Sequence, residues 1–136
     1  MVAGSHQRAL RASIYNFPVY SPQVLDHFEN PRNAGEVDAP DAVAQLENPA
    51  CGDILKLTLK LANGRISEIR FRAKGCVPTM ACASALTELV LGCTLEQAQQ
   101  LDANDVITRL GTLPRASRHA AQLAVDTLAA ALKMRR

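Results

Sequence analysis

The alternation that begins at Ile54 constrains this chain more than any other feature. Leu55, Leu57, Leu59 and Leu61 fall on one side of a period-two pattern, and Lys56, Thr58 and Lys60 fall on the other. That pattern predicts a strand with one face buried and one wet. Asn63-Gly64 follows, and both residue types tolerate the positive φ of a tight hairpin turn. Ile66, Ile69 and Phe71, set among charged residues, then supply a return strand. Antiparallel pairing has a chemical consequence. Cys51 and Asp53 precede the first strand and Cys76 follows the second, so all three are brought to the same end of the sheet.

Cys76 lies in Lys74-Gly75-Cys76-Val77-Pro78-Thr79-Met80-Ala81-Cys82, between the return strand and a helix. Pro78 is read as the first helical position, where its missing N–H has no intrahelical partner, and Gly75 frees the turn before the thiol. Unpaired N–H groups and the helix dipole favour thiolate at such a position, which prepares a metal ligand or a nucleophile. From Pro78 to about Leu91 the residues are small or apolar, which predicts a helix buried on most sides, closed by Gly92. Upstream, Ser21 reads as the N-cap of a helix with Pro22 at its start and an apolar face of Val24, Leu25 and Phe28, ended by Asn30-Pro31. Arg32 to Pro40 reads as loop, followed by a short strand around Val43 to Leu46. Downstream, Thr94 caps a short helix and Asn104 to Leu110 forms another. Pro114 then opens the last helix, with Ala116, Ala120, Leu123, Ala124, Thr127, Leu128 and Ala131 as its apolar stripe and His119 beside its start.

With 136 residues, 48% of them hydrophobic, the chain has room for one domain with a real core and not for two. Fifteen Lys and Arg against thirteen Asp and Glu leave a net charge of +2, too weak a field to point to nucleic acid or an anionic membrane as a partner. No apolar run reaches the roughly 18 residues of a membrane span, and no secretion signal is recognisable, so a cytoplasmic protein is expected. Residues 1–18 carry Arg8 and Arg11 and no acidic residue; they read as a disordered tail, although such a start also resembles an organelle transit peptide. The four cysteines, at 51, 76, 82 and 93, are then expected as free thiols or metal ligands rather than disulfides.

Cys51, Asp53, Cys76 and His119 are the set with metal-ligand character that this geometry can bring together. Two thiolates, an imidazole and a carboxylate can complete a tetrahedral zinc site or hold an iron-sulfur cluster. The bland alternatives are a core cysteine, a surface histidine and an aspartate that caps a turn. Against them stands position: Cys51-Gly52-Asp53 and Gly75-Cys76 fall in loops, where apolar packing gives no reason for cysteine. Cys82 and Cys93 take the opposite reading, since Cys82, Leu86, Leu89 and Cys93 form a core-facing helical stripe. A zinc hydrolase would need an open coordination position and a separate general base, and no such base is recognisable.

Several blocks of the chain together resemble one family. Tyr20-Ser21, Asp26-His27-Phe28-Glu29-Asn30-Pro31-Arg32-Asn33-Ala34-Gly35, Pro49-Ala50-Cys51-Gly52-Asp53, Gly75-Cys76, Ala83-Ser84-Ala85-Leu86-Thr87-Glu88 and Leu113-Pro114 with His119 are similar, in order, to the U-type iron-sulfur cluster assembly scaffolds, the IscU and NifU-like proteins. The resemblance implies a domain over residues 19–136 with an α+β fold, a small antiparallel sheet of about three strands packed against helices. It implies Cys51, Asp53, Cys76 and His119 as the site that holds a [2Fe-2S] cluster, with zinc possible in its place. It also implies a cysteine desulfurase as sulfur donor, acceptor apo-proteins as recipients, and a scaffold or carrier without enzymatic turnover. The alternative is a zinc-binding structural or regulatory relative that no longer assembles clusters.

Four departures bear on that implication. The family ordinarily has a third cysteine after the histidine, and this chain has Ala120, which can neither bind metal nor carry a persulfide. Leu113-Pro114-Arg115-Ala116-Ser117 replaces the Leu-Pro-Pro-Val-Lys motif of chaperone-dependent members, so an Hsp70-type chaperone is not carried over as a partner. Cys93 stands where lysine is common. No long insertion separates Cys76 from His119, unlike the zinc-dependent sulfur-transfer branch.

Overall fold

The computed structural model describes residues 20–135, so the tail expected over residues 1–18 lies outside the described residues. In chain order the elements are α1 (Pro22–Glu29), β1 (Ala42–Glu47), β2 (Ile54–Ala62), β3 (Arg65–Lys74), α2 (Val77–Val90), α3 (Leu95–Gln99), α4 (Ala103–Arg109), a 3-10 turn (Arg115–Ser117) and α5 (Arg118–Lys133). The strands form one three-stranded antiparallel sheet in the order β1-β2-β3. Helix α2 packs on β3, α5 packs on β1 and β2, and the two helices pack on each other, which gives the expected α+β architecture. Among the described residues no helix is long and apolar enough to cross a membrane.

The leucine alternation of β2 does what its period requires. Leu55, Leu57 and Leu59 are buried with Ala42 and Ala44 of β1 and Ile66, Ile69 and Phe71 of β3. Fully burying one such large side chain contributes about 1.5–3 kcal/mol, so this face sets the register of the sheet. Asn63 and Gly64 turn the hairpin with φ of 55° and 74°, the successive positive values of a type I′ turn. Leu61 departs from expectation and is only half-buried. The cause is a bulge: Lys60 pairs with Glu68 and Leu61 with Ile66, so Ser67 is an extra residue, and its hydroxyl bonds the Lys60 carbonyl. The same extra residue explains how Ile66 and Ile69, three apart, face one side.

The polar face of β2 is not uniformly wet either. The loop after α1 lies along β3, bridging Ala34 to Phe71, and then crosses the outer face, where the Val37 N–H donates to Thr58 Oγ1 at 2.9 Å. Thr58 is thereby buried, and Glu36 pairs with Lys56 and Arg72 beside it. Two helix starts are also shifted. Helix α2 begins at Val77 with Cys76 as its N-cap, which puts Pro78 at the second helical position. Pro114 precedes a 3-10 turn rather than opening α5, and Ala116 in that turn is exposed instead of joining the apolar stripe.

Helix α1 also buries a different side chain from the one its pattern suggests: Phe28 is half-buried while His27 is buried. His27 lies between α1 and α2, with Nδ1 2.7 Å from Ser84 Oγ and Nε2 3.3 Å from Glu88 Oε1. The Arg32 N–H already donates to Ser84 Oγ at 2.9 Å, and Arg32 and Arg109 both approach Glu88. Ser84 therefore gives its proton to Nδ1 of a neutral ring whose Nε2–H points to Glu88. Two sequence blocks more than fifty residues apart close on each other here.

Burial first, and Arg32 after it, lower the His27 pKa below 6.5, with Glu88 and Asp26 opposing. The sign follows. On acidification the unfolded chain takes up this proton before the folded one does, so stability is lost as pH falls below the ordinary histidine value. Chemical denaturation between about pH 7 and about pH 5.5, a window that brackets that value, should show the native chain losing more stability than a His27→Gln variant. Equal losses in the two proteins would contradict the assignment.

Candidate metal centre

The end of the sheet at which β1 gives way to β2 carries the first two site residues. Asn48 N–H bonds the Asp53 carbonyl at 2.8 Å and Gly52 N–H bonds the Asn48 carbonyl at 2.7 Å, closing a tight loop. Gly52 takes a φ of 75°, a conformation that costs glycine nothing, and Cys51 stands exposed at the tip. Asp53 points inward and is only 5% exposed. Ile54 pairs with Lys74, so the strand leading to Cys76 ends beside the strand that starts after Asp53. The hairpin thus brings Cys51, Asp53 and Cys76 to one end of the sheet.

Asp53 is the hub. Its Oδ2 accepts a hydrogen bond of 2.7 Å from Thr79 Oγ1, lies 3.7 Å from Cys76 Sγ and lies 3.6 Å from His119 Nε2. Gly75 gives the carboxylate room, because a Cβ there would stand 2.8 Å from Asp53 Cγ. Burial pushes the Asp53 pKa up, but the hydroxyl of Thr79, the thiols of Cys51 and Cys76 and the ring of His119 outweigh it and leave the pKa lowered. The carboxylate is therefore ionised near neutral pH. Its backbone N–H pulls the Cys51 pKa down, yet desolvation, the Asp53 carboxylate and Cys76 together leave that thiol raised.

His119 reaches the site from the first turn of α5. Its Nδ1 lies 3.0 Å from the Ala116 carbonyl, an acceptor, so Nδ1 carries the proton and Nε2 is turned to Asp53. A backbone carbonyl that fixes the tautomer in this way leaves Nε2 free to ligate. The 3-10 turn of Arg115–Ser117, with Arg115 and Ala116 exposed and Ser117 buried, supplies that carbonyl. One ligand atom each from Cys51, Asp53 and His119 lie within 4.8 Å of one another. Cys76, the exposed N-cap of α2, stands outside that tight trio and joins it through Asp53.

The other cysteines are elsewhere. Cys82 is wholly buried in the core, where burial and then Cys76 push its thiol up to about 12. Cys93 is half-buried and bonds the Leu89 carbonyl at 3.2 Å. Ala120, beside His119, is 1% exposed and part of the hydrophobic core. Two groups near the site carried no ligand signal in the sequence. Thr79 is recognisable only in retrospect, as a hydroxyl one turn beyond Cys76. Tyr20 is buried, and burial, followed by the charge of Cys76, raises its phenol.

These side chains offer groups of the kind a thiophilic metal takes, two sulfurs, one imidazole nitrogen and one carboxylate oxygen, with Asp53 buried beneath them and Cys51, Cys76 and His119 open to solvent. The family described as NifU-like N terminal domain matches residues 19–136. The iron-sulfur cluster assembly scaffold protein IscU 1 of Archaeoglobus fulgidus is 39% identical over 114 residues, 84% of this chain and 74% of that protein. The iron-sulfur cluster assembly scaffold protein IscU of Escherichia coli is 39% identical over 117 residues, 83% of this chain and 91% of that protein. The fold is shared with the crystal structure of an N-terminal NifU-like protein from Brucella abortus, at a TM-score of 0.65 and 23% identity over 83% of this chain and 91% of that one. With that domain match and those identities, the chain belongs to the family of U-type scaffolds defined by the NifU-like N-terminal domain.

Proposed function

We propose that the chain is an iron-sulfur cluster assembly scaffold or carrier, which holds a [2Fe-2S] cluster as cargo at Cys51, Asp53, Cys76 and His119 and passes it to acceptor apo-proteins. The observation that carries the reading is the ionised, 5% exposed carboxylate of Asp53 set among two exposed thiols and an imidazole. Cys51 and Cys76 serve as thiolate ligands and His119 ligates through Nε2. Asp53 is a hard oxygen donor, a poor match for cluster iron, so the site releases its cargo more readily than an all-thiolate site would. Lability suits a donor. The protein works by binding and transfer, without turnover of its own.

Sulfur comes from a cysteine desulfurase in this reading. A thiolate of Cys51 or Cys76 attacks the outer sulfur of the donor's persulfide; a new S–S bond forms, the donor's S–S bond breaks, and the donor's thiolate leaves. Ala120 removes the third acceptor that relatives of this type offer. The alternative, a zinc-holding regulatory relative, keeps the metal and loses this chemistry.

Variants at the cysteines test the donor set. After anaerobic loading with iron and sulfide, Cys51→Ser and Cys76→Ser should each lose most of the bound iron. Cys93→Ser should retain it, with its effect confined to stability. Equal iron loss in the Cys93 and Cys76 variants would sink the assignment.

Ala120→Cys tests the departure from relatives. A sulfur at a 1% exposed position must enter packed space, so the metal-free variant should lose about 1–3 kcal/mol of stability. If the strain is relieved by turning the new thiol out of the core toward the neighbouring His119 donor, the loaded variant should hold its cluster longer and accept more persulfide sulfur than the native chain. Unchanged cluster lifetime and sulfur loading would show that Ala120 is no functional deficit.

A further inference from the structure

Thr79 touches the donor set without belonging to it. It is 1% exposed, and its hydroxyl carries a single proton, which goes to Asp53 Oδ2 over 2.7 Å. Toward Cys76 Sγ, at 3.4 Å, the same oxygen can then act only as an acceptor. Thr79 sits in the first turn of α2, yet the helix starts with no side-chain cap, so this hydroxyl is not spent on the helix. Across the carboxylate lies Gly75, where a β-carbon would collide with Asp53. Asp53 is thus held from two sides, by the bare backbone of Gly75 and by the Thr79 hydrogen bond.

The consequence lies in orientation. The terminal torsion of an aspartate is broad, so a carboxylate without a fixed partner samples many rotations. Here Oδ2 is fixed 3.7 Å from Cys76 Sγ and 3.6 Å from His119 Nε2, between two of the proposed donors. We propose that Thr79 is a positioning residue of the metal centre: its hydroxyl fixes the Asp53 carboxylate between Cys76 and His119, so that the oxygen meets the metal in one orientation. This inference rests on the donor set proposed above. It makes Thr79 a determinant of how tightly the site holds metal, although it ligates nothing itself.

The probe is cobalt(II), added anaerobically to the full chain, with affinity read by competition and coordination read from the visible ligand-field bands. The proteins compared are native, Thr79→Val, Thr79→Ser, Asp53→Ala and the Thr79→Val/Asp53→Ala double variant, with the metal-free unfolding midpoint measured for each. Thr79→Val should bind cobalt about tenfold more weakly or worse, with shifted bands, while Thr79→Ser binds as the native chain does. In the Asp53→Ala background the valine should change nothing further, since its effect acts through that carboxylate. Native affinity in Thr79→Val, or the same loss with and without Asp53, overturns the role of Thr79 and leaves the donor set standing. Failure of the native chain to bind cobalt, or full affinity in Asp53→Ala, overturns the donor set and this inference with it. Should Thr79→Val fail to fold, Thr79→Ala against Thr79→Ser makes the same comparison.

Discussion

A buried carboxylate that stays charged is the constraint on which the rest of the site depends. Asp53 is 5% exposed, and an ionised group at that depth persists only where it is paired and hydrogen-bonded. Stripping a buried charge of its partner costs about 3–5 kcal/mol, comparable to the whole stability margin of a marginal domain. The partners come from two separate parts of the chain: Thr79 and Cys76 at the start of α2, beside the space left by Gly75, and His119 at the start of α5, whose ring pairs with the carboxylate when both its nitrogens are protonated. When the thiols are metal-free they lie next to this charge, which helps keep Cys51 protonated. At the proposed site a metal cation would satisfy the carboxylate, the thiols and the imidazole together.

The scaffold under the site is built to keep those starts in place. The leucine face of β2 fixes the hairpin register, and register decides that the residue before β2 and the residue after β3 meet. Helices α2 and α5 pack on the sheet and on each other, so the two helix starts that carry Cys76 and His119 are held by the same core. A second polar cluster, His27 with Ser84, Glu88 and Arg32, fastens α1 and its following loop to the middle of α2. Among the described residues no buried side-chain nitrogen or oxygen lacks a hydrogen-bond partner. Both clusters grip α2, one at its start and one at its midpoint.

How much of this was legible depended on whether a residue's neighbours are local. The leucine alternation and Asn63-Gly64 carry their own period and turn chemistry, and they gave the hairpin, and through it the convergence of Cys51, Asp53 and Cys76. The extra residue at Ser67 has no signature in its own strand, because a bulge is defined by the partner strand, and it leaves Leu61 half-buried where the leucine alternation predicts a buried face. Thr58 and His27 are buried by segments distant in sequence, which no local pattern encodes. The apolar spacing of α5 runs on to Ala116 in the sequence, but that residue lies in a 3-10 turn, with about three rather than 3.6 residues per turn, and is exposed. Thr79 carried no ligand signature, since a hydroxyl that serves a ligand is visible only from the carboxylate it holds.

Iron K-edge X-ray absorption on the anaerobically loaded native chain tests the central claim most directly. A donor set of Cys51, Cys76, His119 and Asp53 predicts mixed coordination: sulfur neighbours, an iron neighbour and a distinct nitrogen or oxygen shell, with the light-atom shell reduced when Asp53 is replaced by alanine. A first shell made of sulfur alone would contradict it, because the buried thiol of Cys82 or the thiol of Cys93 would then have had to enter the site in place of the imidazole and the carboxylate.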